Sequence, residues 1–339
     1  EASLTRPIAP LELGDVVAVK FLRPELIADA GARRRLSTEG RLGMSIQHPN
    51  VAQIYAVDGN DDQEGVAPCL IMQFVQGTTL RAMLHKSGAP LEDLTRRLGA
   101  DAARGLFALH RRGLVHRDVK PENLILTPDS ELKIVDLGLV RPFDSQGGGA
   151  SPGAGSASDV GLAGSVAYCA PETLLGQRAG PRSDLYSLGV VLYEVTTGEH
   201  PFVDAEGADE MMDAHLRRTP QKPSHLRPRT SPLLEQLIMD LMEKDPDDRP
   251  RSAADVVRIL DQGERSDFWR KHELAAPVLA SNRRLMRMRR PTEAPFVGRA
   301  DESAALDRAL AKARAGAGRA LAIVAPASTG KRRLLDECM

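Results

Sequence analysis

The sequence predicts a mixed α+β fold in which short strands come early in the chain and long helices later. Runs of β-branched and apolar residues bounded by turn residues occur at 15–21, 51–57 and 69–75. Apolar residues recur at helical spacing at 91–112 and again at 183–197. Strands grouped before helices are typical of α+β folds.

Length and composition describe an ordinary globular protein. The chain has 339 residues, 42% hydrophobic and 27% charged, enough for one large domain or two moderate ones. Its net charge of −1 gives no overall positive potential that would attract nucleic acid, so no nucleic-acid partner is expected. The longest apolar run, near 190–195, is far shorter than the about 20 residues that cross a bilayer. Three cysteines without metal-ligand spacing predict reduced thiols and a cytoplasmic location.

The segment 114–139 concentrates charged residues around a short predicted hairpin. It reads LVHRDVKPENLILTPDSELKIVDLGL, with strands at 124–126 and 133–135 and turn residues between them. If Leu126 pairs with Lys133, Asn123 falls opposite Asp136. An amide oxygen and a carboxylate would then meet at the open end of the hairpin, which suits Mg²⁺.

HRDVKPEN followed by DLG resembles the catalytic loop and metal-binding motif of bacterial, eukaryotic-like (Hanks-type) Ser/Thr protein kinases. The resemblance covers roughly 14–260 and implies a two-lobed kinase fold that uses ATP and Mg²⁺ to phosphorylate proteins in signalling. It implies that Asp118 orients the substrate hydroxyl and accepts its proton, and that Lys120 contacts the transferred phosphoryl group. Asn123 and Asp136 would hold Mg²⁺, and Asn123 counts among the catalytic residues.

The first predicted strand contains VAVK, which resembles the kinase strand that contacts ATP. By that likeness Lys20 reaches the α and β phosphates, and Ala18 covers the adenine. A helix is predicted at 32–46, and its Glu39 lies where the family places the residue that pairs with this Lys.

The strand at 69–75 resembles the segment that joins the two lobes in the family. Met72 would be the gatekeeper, and the backbones of Gln73 and Val75 would bind adenine. Ile125 is also assigned to the nucleotide site.

Three departures from the family pattern leave an alternative open. No Gly-rich loop precedes VAVK, and 1–13 is too short for it, so we expect a truncated N-terminal lobe. Gly40 and Gly43 each cost up to ~1 kcal/mol relative to Ala in a helix, and Leu137 replaces the usual Phe. These features favour a pseudokinase, or a nucleotide-binding signalling or scaffold module without phosphotransfer.

The complete catalytic set favours the enzyme, because degenerate relatives commonly lose a member of it. That set is Lys20, Glu39, Asp118, Asn123 and Asp136. A small-molecule kinase that shares the fold is disfavoured, since such enzymes lack a counterpart of Lys120 and of the Ala-Pro-Glu segment, both of which this sequence contains.

The segment 136–172 is rich in Gly and Ser, which predicts mobility when it is unmodified. We hypothesise that one of its serines accepts phosphate and binds Arg117, with self-association for autophosphorylation; a flexible loop without a switch role is the alternative. The candidate serines are Ser151, Ser156, Ser158 and Ser165. At the end of the segment, Glu172 is expected to form a buried ion pair with Arg249.

The helix at 183–197 is predicted to be capped by Ser183-Asp184 and to be buried almost all round. Asp184 would tie its first turn to the backbone of the catalytic loop. Two amphipathic helices, at 232–243 and 252–260, complete the large lobe.

The domains predicted from these patterns are an incomplete N-terminal lobe with hinge at 1–75, a C-terminal lobe at 76–262, a basic linker at 263–294 and a P-loop segment at 295–339. The last segment contains APASTGKR and resembles the start of an AAA or STAND-type P-loop ATPase. Gly330 and Lys331 fit that motif, whereas Ala325 replaces its first Gly and Arg332 its Ser/Thr.

Overall fold

A computed structural model describes residues 2–3, 11–12, 14–22, 25, 27, 29–58, 69–137, 141–142, 166–275 and 308. The chain divides into two compact units, Glu1–His272 and Glu273–Met339. The predicted basic run and P-loop motif of the second unit lie outside the described residues. Among the helices of the described residues, none combines the length and hydropathy needed to cross a membrane.

The N-terminal lobe contains a four-stranded antiparallel sheet in the order β1-β2-β4-β3. The strands are β1 (Ala2–Ser3), β2 (Val16–Phe21), β3 (Ile54–Asp58) and β4 (Cys69–Gln73), and helix α1 (Ala30–Met44) packs on β3 and β4. The three predicted strands are confirmed, although β3 begins three residues later and β4 ends two residues earlier than predicted. Strand β1 was not predicted, because two residues carry no alternating pattern.

Two glycines that count against α1 in propensity lie on its packed face. A Cβ on Gly40 would lie 2.1 Å from Val57 Cγ2, and a Cβ on Gly43 would lie 2.4 Å from Ile54 Cδ1 and 3.2 Å from Leu137 Cδ1. Only residues without side chains permit this approach of the helix to the sheet. Close packing therefore offsets the low helix propensity of these positions.

The C-terminal lobe is helical and is built around the buried helix α5. Its helices are α2 (Leu80–Ser87), α3 (Glu92–His110), α4 (Pro171–Leu174), α5 (Pro181–Thr197), α6 (Gly207–Arg217), α7 (Pro223–Leu226), α8 (Pro232–Leu241), α9 (Ala253–Gln262) and α10 (Asp267–Ala275). Helices α3 and α8 pack on α5, and α9 packs on α3. The predicted helices at 91–112, 183–197, 232–243 and 252–260 are confirmed, with shifts of a few residues at their ends.

One prediction about a helix end is wrong. Helix α5 begins at Pro181 with Gly180 as N-cap, and Ser183 lies inside it, where its Oγ accepts from the Gly180 N–H at 3.0 Å. Pro suits the first helical position because its missing N–H has no partner there. Helix α10 lies within the segment 263–294 that is predicted as a linker, and its Phe268 and Trp269 pack against the core.

Short strands complete the large lobe. They are β5 (Thr78–Thr79), β6 (Leu114–Val115), β7 (Leu124–Leu126), β8 (Leu132–Ile134) and β9 (Arg141–Pro142). Strands β5, β7 and β8 form one sheet, and β6 pairs with β9.

The predicted hairpin exists, but its predicted register is wrong by one residue. Leu126 pairs with Leu132 rather than with Lys133. The Thr127 N–H donates to the Glu131 carbonyl at 2.9 Å, which leaves a three-residue loop ending in Ser130 with φ 63°. A three-residue loop with a left-handed last residue is a common hairpin connection.

Candidate active site

The catalytic loop is held in place by one buried carboxylate. Asp184 Oδ2 accepts from the His116 N–H at 2.9 Å and Oδ1 accepts from the Arg117 N–H at 2.8 Å, which confirms the predicted tie between α5 and the loop. His110 Nε2 lies 2.8 Å from Oδ2. Burial opposes ionisation of this 1% exposed side chain, but the hydrogen bond and charge of His110 keep the pKa of Asp184 below its usual value.

Asp118, Lys120 and Asn123 come together within this loop. Lys120 Nζ lies 2.6 Å from Asp118 Oδ2. Asn123 Nδ2 donates to the same oxygen at 2.9 Å and to the Asp118 carbonyl at 2.8 Å. Within the described residues no hydrogen bond reaches Asp118 Oδ1. The arrangement fixes the orientation of the carboxylate and leaves one oxygen to accept a proton.

The two predicted metal ligands lie at the same end of the hairpin, although not directly opposite each other. The backbone carbonyl of Asn123 accepts from the Val135 N–H at 2.9 Å, so Asp136 is one residue further along, at a left-handed φ of 58°. Because the amide nitrogen of Asn123 binds Asp118, its oxygen is the atom that can contact a cation. An amide oxygen and a 44% exposed carboxylate fit a hard divalent ion that takes few protein ligands and keeps phosphate oxygens.

Lys20 connects the N-terminal lobe to this end of the hairpin. Its Nζ lies 2.6 Å from Asp136 Oδ1, across 116 residues of sequence. The structure therefore brings together the predicted phosphate anchor and a predicted metal ligand. The side chain of Glu39 lies outside the described residues, so its pairing with Lys20 stays a prediction.

The predicted adenine residues lie where the two central strands of the sheet, β2 and β4, pair and where β4 ends. Ala18 pairs directly with Met72, and Val75 follows the end of β4. The Gln73 N–H donates to the Gln53 carbonyl at 2.8 Å. Any backbone contact of Gln73 with adenine must therefore use its carbonyl oxygen.

Ile125 lies directly beside the segment that follows β4. It pairs with Thr79, and a Cβ on Gly77 would lie 2.7 Å from Ile125 Cγ2 and 2.3 Å from the Leu126 oxygen. The segment can cross the hairpin this closely only because Gly77 has no side chain. The crossing places Ile125 next to the predicted hinge.

The predicted buried ion pair at the end of the activation segment is confirmed. Arg249 contacts both oxygens of Glu172 at 2.8 Å, and their side chains are 0% and 7% exposed. Ser183 Oγ also donates to Glu172 at 2.6 Å.

Nearby, burial raises the pKa of the Cys169 thiol to about 12, so this cysteine stays protonated. The four candidate phosphorylation sites lie outside the described residues, and their contact with Arg117 stays a prediction.

Sequence reasoning missed a polar cluster that joins α2 to the catalytic loop. Arg81 of α2 contacts Glu122, Glu194 and the hydroxyl of Tyr168. No motif marks Arg81, which lies on an amphipathic helix. The sequence signal that could have indicated this cluster is Glu194, a Glu within the apolar helix α5, because a buried carboxylate requires partners.

The chain matches one family model and several curated relatives. Residues 9–259 match the family model described as protein kinase domain. Serine/threonine-protein kinase PknB of Mycolicibacterium smegmatis is 32% identical over 267 residues, which cover 79% of this chain and 40% of the relative. A probable serine/threonine-protein kinase of Streptomyces coelicolor is 34% identical over 248 residues, 73% of this chain and 36% of the relative. The chain thus spans less than half the length of these curated relatives.

Proposed function

This chain belongs to the protein kinase family, and we propose that it transfers the γ-phosphoryl group of ATP to Ser or Thr hydroxyls of proteins. The observation that carries the proposal is the orientation of Asp118. Lys120 and Asn123 both bind its Oδ2, so the other oxygen is left to receive a hydroxyl proton.

Catalysis in this site is positioning plus charge neutralisation. Asp118 aligns the acceptor hydroxyl and takes up its proton. The ammonium of Lys120, 2.6 Å from that carboxylate, provides positive charge beside the transferred phosphoryl group.

Lys20, Asn123 and Asp136 would hold the triphosphate and its magnesium. Bound Mg²⁺ supplies neutralisation of the phosphate charge. Lys20 contacts Asp136 Oδ1 directly, so its ammonium lies beside the predicted metal ligand and would hold a phosphate oxygen there. The same lysine would then hold phosphate and pair with Glu39.

The proposal extends to the adenine and to further parts of the chain. Adenine would lie among Ala18, Met72, Gln73, Val75 and Ile125, near the paired strands β2 and β4. Self-association would support autophosphorylation of the Ser-rich segment. The proposed P-loop ATPase-like segment at 295–339 is supported by the fit of Gly330 and Lys331 to the motif.

The test is transfer of radiolabelled phosphate from ATP to a generic basic protein. Asp118→Asn should abolish transfer but keep ATP binding, because Asp118 is assigned to the acceptor and not to the nucleotide. Asp129→Asn, an exposed residue in the loop of the same hairpin, should keep full activity. Undiminished transfer by Asp118→Asn would refute the mechanism.

A nucleotide-binding module without phosphotransfer is the second candidate. It is favoured by Leu137 and Gly43, which stand where the family pattern has larger side chains and which pack against each other. A wild-type chain that binds ATP with magnesium but transfers no phosphate to protein would favour this candidate.

A further inference from the structure

Arg81 joins four parts of the large lobe through one side chain. Its Nε donates to Glu122 Oε1 at 2.7 Å, and Glu122 lies in the catalytic loop beside Asn123. Its terminal nitrogens donate to Glu194 of α5 and to the Tyr168 hydroxyl. Tyr168 belongs to the segment that ends in Ala-Pro-Glu. Burial, then the charges of Glu172 and Asp118, raise the pKa of the neighbouring Cys169, so this segment lies close to the carboxylate assigned to the acceptor hydroxyl.

The contacts of this cluster depend on one another. The Tyr168 hydroxyl donates to Glu194 Oε2 at 2.6 Å, and Glu194 is only 7% exposed. Burial, followed by the charge of Glu194, raises the pKa of Tyr168, so the hydroxyl keeps its proton for that bond. Without Arg81, Glu194 would remain buried with one neutral partner, which is an unfavourable arrangement for a carboxylate.

The helix that carries Arg81 is itself fixed. The Thr79 hydroxyl accepts from the Ala82 N–H at 3.1 Å and caps α2, and Thr79 also pairs with Ile125 of β7. Leu80, the first residue of the helix, is 1% exposed. Arg81 therefore extends from a rigid support beside the hairpin.

The backbone around Tyr168 is held by side chains other than Arg81. Ser187 Oγ donates to the Tyr168 carbonyl at 2.6 Å. The Ala167 carbonyl accepts from His200 Nε2 at 2.7 Å and from His215 Nε2 at 2.8 Å. These contacts attach the segment to the helices, whereas the contacts of Arg81 attach it to the catalytic loop.

We propose that Arg81 is a positioning residue for the protein acceptor, which holds the segment 166–170 against the catalytic loop so that the acceptor hydroxyl meets Asp118. This inference rests on the proposed kinase function. None of its three partners is assigned to ATP; they are Glu122, Tyr168 and Glu194. Loss of Arg81 therefore weakens use of the acceptor rather than binding of the nucleotide.

The first test separates KM for the acceptor protein from KM for ATP. In Arg81→Ala the acceptor KM should rise about tenfold, since a hydrogen bond to a charged group is worth roughly one tenfold step. The KM for ATP should stay at its wild-type value. Arg104→Ala is a matched control, because Arg104 is 37% exposed against 36% for Arg81 and also binds two carboxylates, Asp101 and Asp261. It should change neither constant.

A double-mutant cycle tests whether Arg81 acts through Tyr168. Tyr168→Phe removes the hydroxyl and keeps the ring, and its effect on the acceptor KM should not add to that of Arg81→Ala. Additive effects, or equal changes in both KM values, would overturn the proposal. If Arg81→Ala does not fold, the KM values of Tyr168→Phe are compared with those of Arg104→Ala. Tyr168→Phe should then raise the acceptor KM and leave the ATP KM unchanged.

Hydrogen exchange provides a readout that does not depend on catalysis. Amides at 166–170 should exchange faster in Arg81→Ala than in the wild type or in Arg104→Ala. Faster exchange in a chain that transfers no phosphate would support the positioning role while the kinase proposal fails. Unchanged exchange at 166–170 would overturn the positioning role even in an active enzyme.

Discussion

Replacing Glu172 by Gln should destabilise the large lobe by roughly 3–5 kcal/mol, the range for breaking a buried ion pair from one side. Glu172 is 7% exposed and its partner Arg249 is fully buried. The substitution keeps the shape of the side chain and removes its charge. The guanidinium is then left charged in the core without a counter-ion.

The upper part of that range is expected because every donor of Arg249 is in use. Two donors contact Glu172 at 2.8 Å, and the other three contact the carbonyls of Glu243, Arg182 and Lys244 at 2.7, 2.8 and 3.0 Å. The guanidinium cannot turn toward water without losing these bonds. In a domain of this size each kcal/mol lowers Tm by about 2–4 °C, so the whole range corresponds to a decrease of about 6–20 °C and we expect its upper part.

The pH dependence gives a second, independent signature. Burial opposes ionisation of Glu172, but the hydrogen bonds and charge of Arg249 outweigh it, so the pKa of Glu172 lies below its ordinary value. A depressed folded-state pKa stabilises the fold above the unfolded value of about 4.3, and that contribution is lost as pH falls through the folded pKa. The stability difference between wild type and Glu172→Gln should therefore narrow in acid.

Urea denaturation followed by circular dichroism at pH 7 and in acid measures both effects. Arg270→Ala breaks a pair whose side chains are 66% and 83% exposed, and it should leave the midpoint unchanged. The reasoning is refuted if Glu172→Gln is as stable as Arg270→Ala at pH 7. A stability difference that stays constant through the acid range would refute the assignment of the pKa.

Three further changes test other parts of the fold. Gly40→Ala should destabilise by roughly 1–3 kcal/mol in urea despite its better helix propensity, because the new Cβ meets the sheet; increased stability would contradict the close packing of α1. Burial lowers the pKa of His215 to about 3, so the unfolded chain binds a proton below about pH 6.5 that the fold excludes. Wild-type stability should fall from pH 6.5 toward 3, and His215→Gln should show a flatter profile in urea midpoints; equal slopes would contradict a neutral buried ring. Gly77→Ala should weaken ATP binding in calorimetry, because its Cβ would lie 2.3 Å from the Leu126 oxygen; Gly180→Ala, with open space around it, is the control, and equal affinities would contradict the close crossing.

Local patterns predicted the elements well where they were long or carried a motif. Helix α3 and the buried helix α5 follow from apolar spacing, and the hairpin follows from two apolar runs around turn residues. Local patterns failed where one backbone angle decided the outcome. The left-handed Ser130 shortens the hairpin loop, and the resulting register places Asn123 opposite Val135 instead of Asp136.

The sequence by itself determined which chemical groups this protein brings to its candidate site, because HRDVKPEN and DLG place an acid, a lysine and two predicted metal ligands within a few residues of one hairpin. Only the tertiary structure decided which distant groups meet them. Lys20 reaches Asp136 across 116 residues, and Arg81 reaches Glu194 across 113. Such contacts depend on how closely helices approach a sheet or one another, which is set by packing over the whole lobe and by glycines such as Gly40 and Gly77.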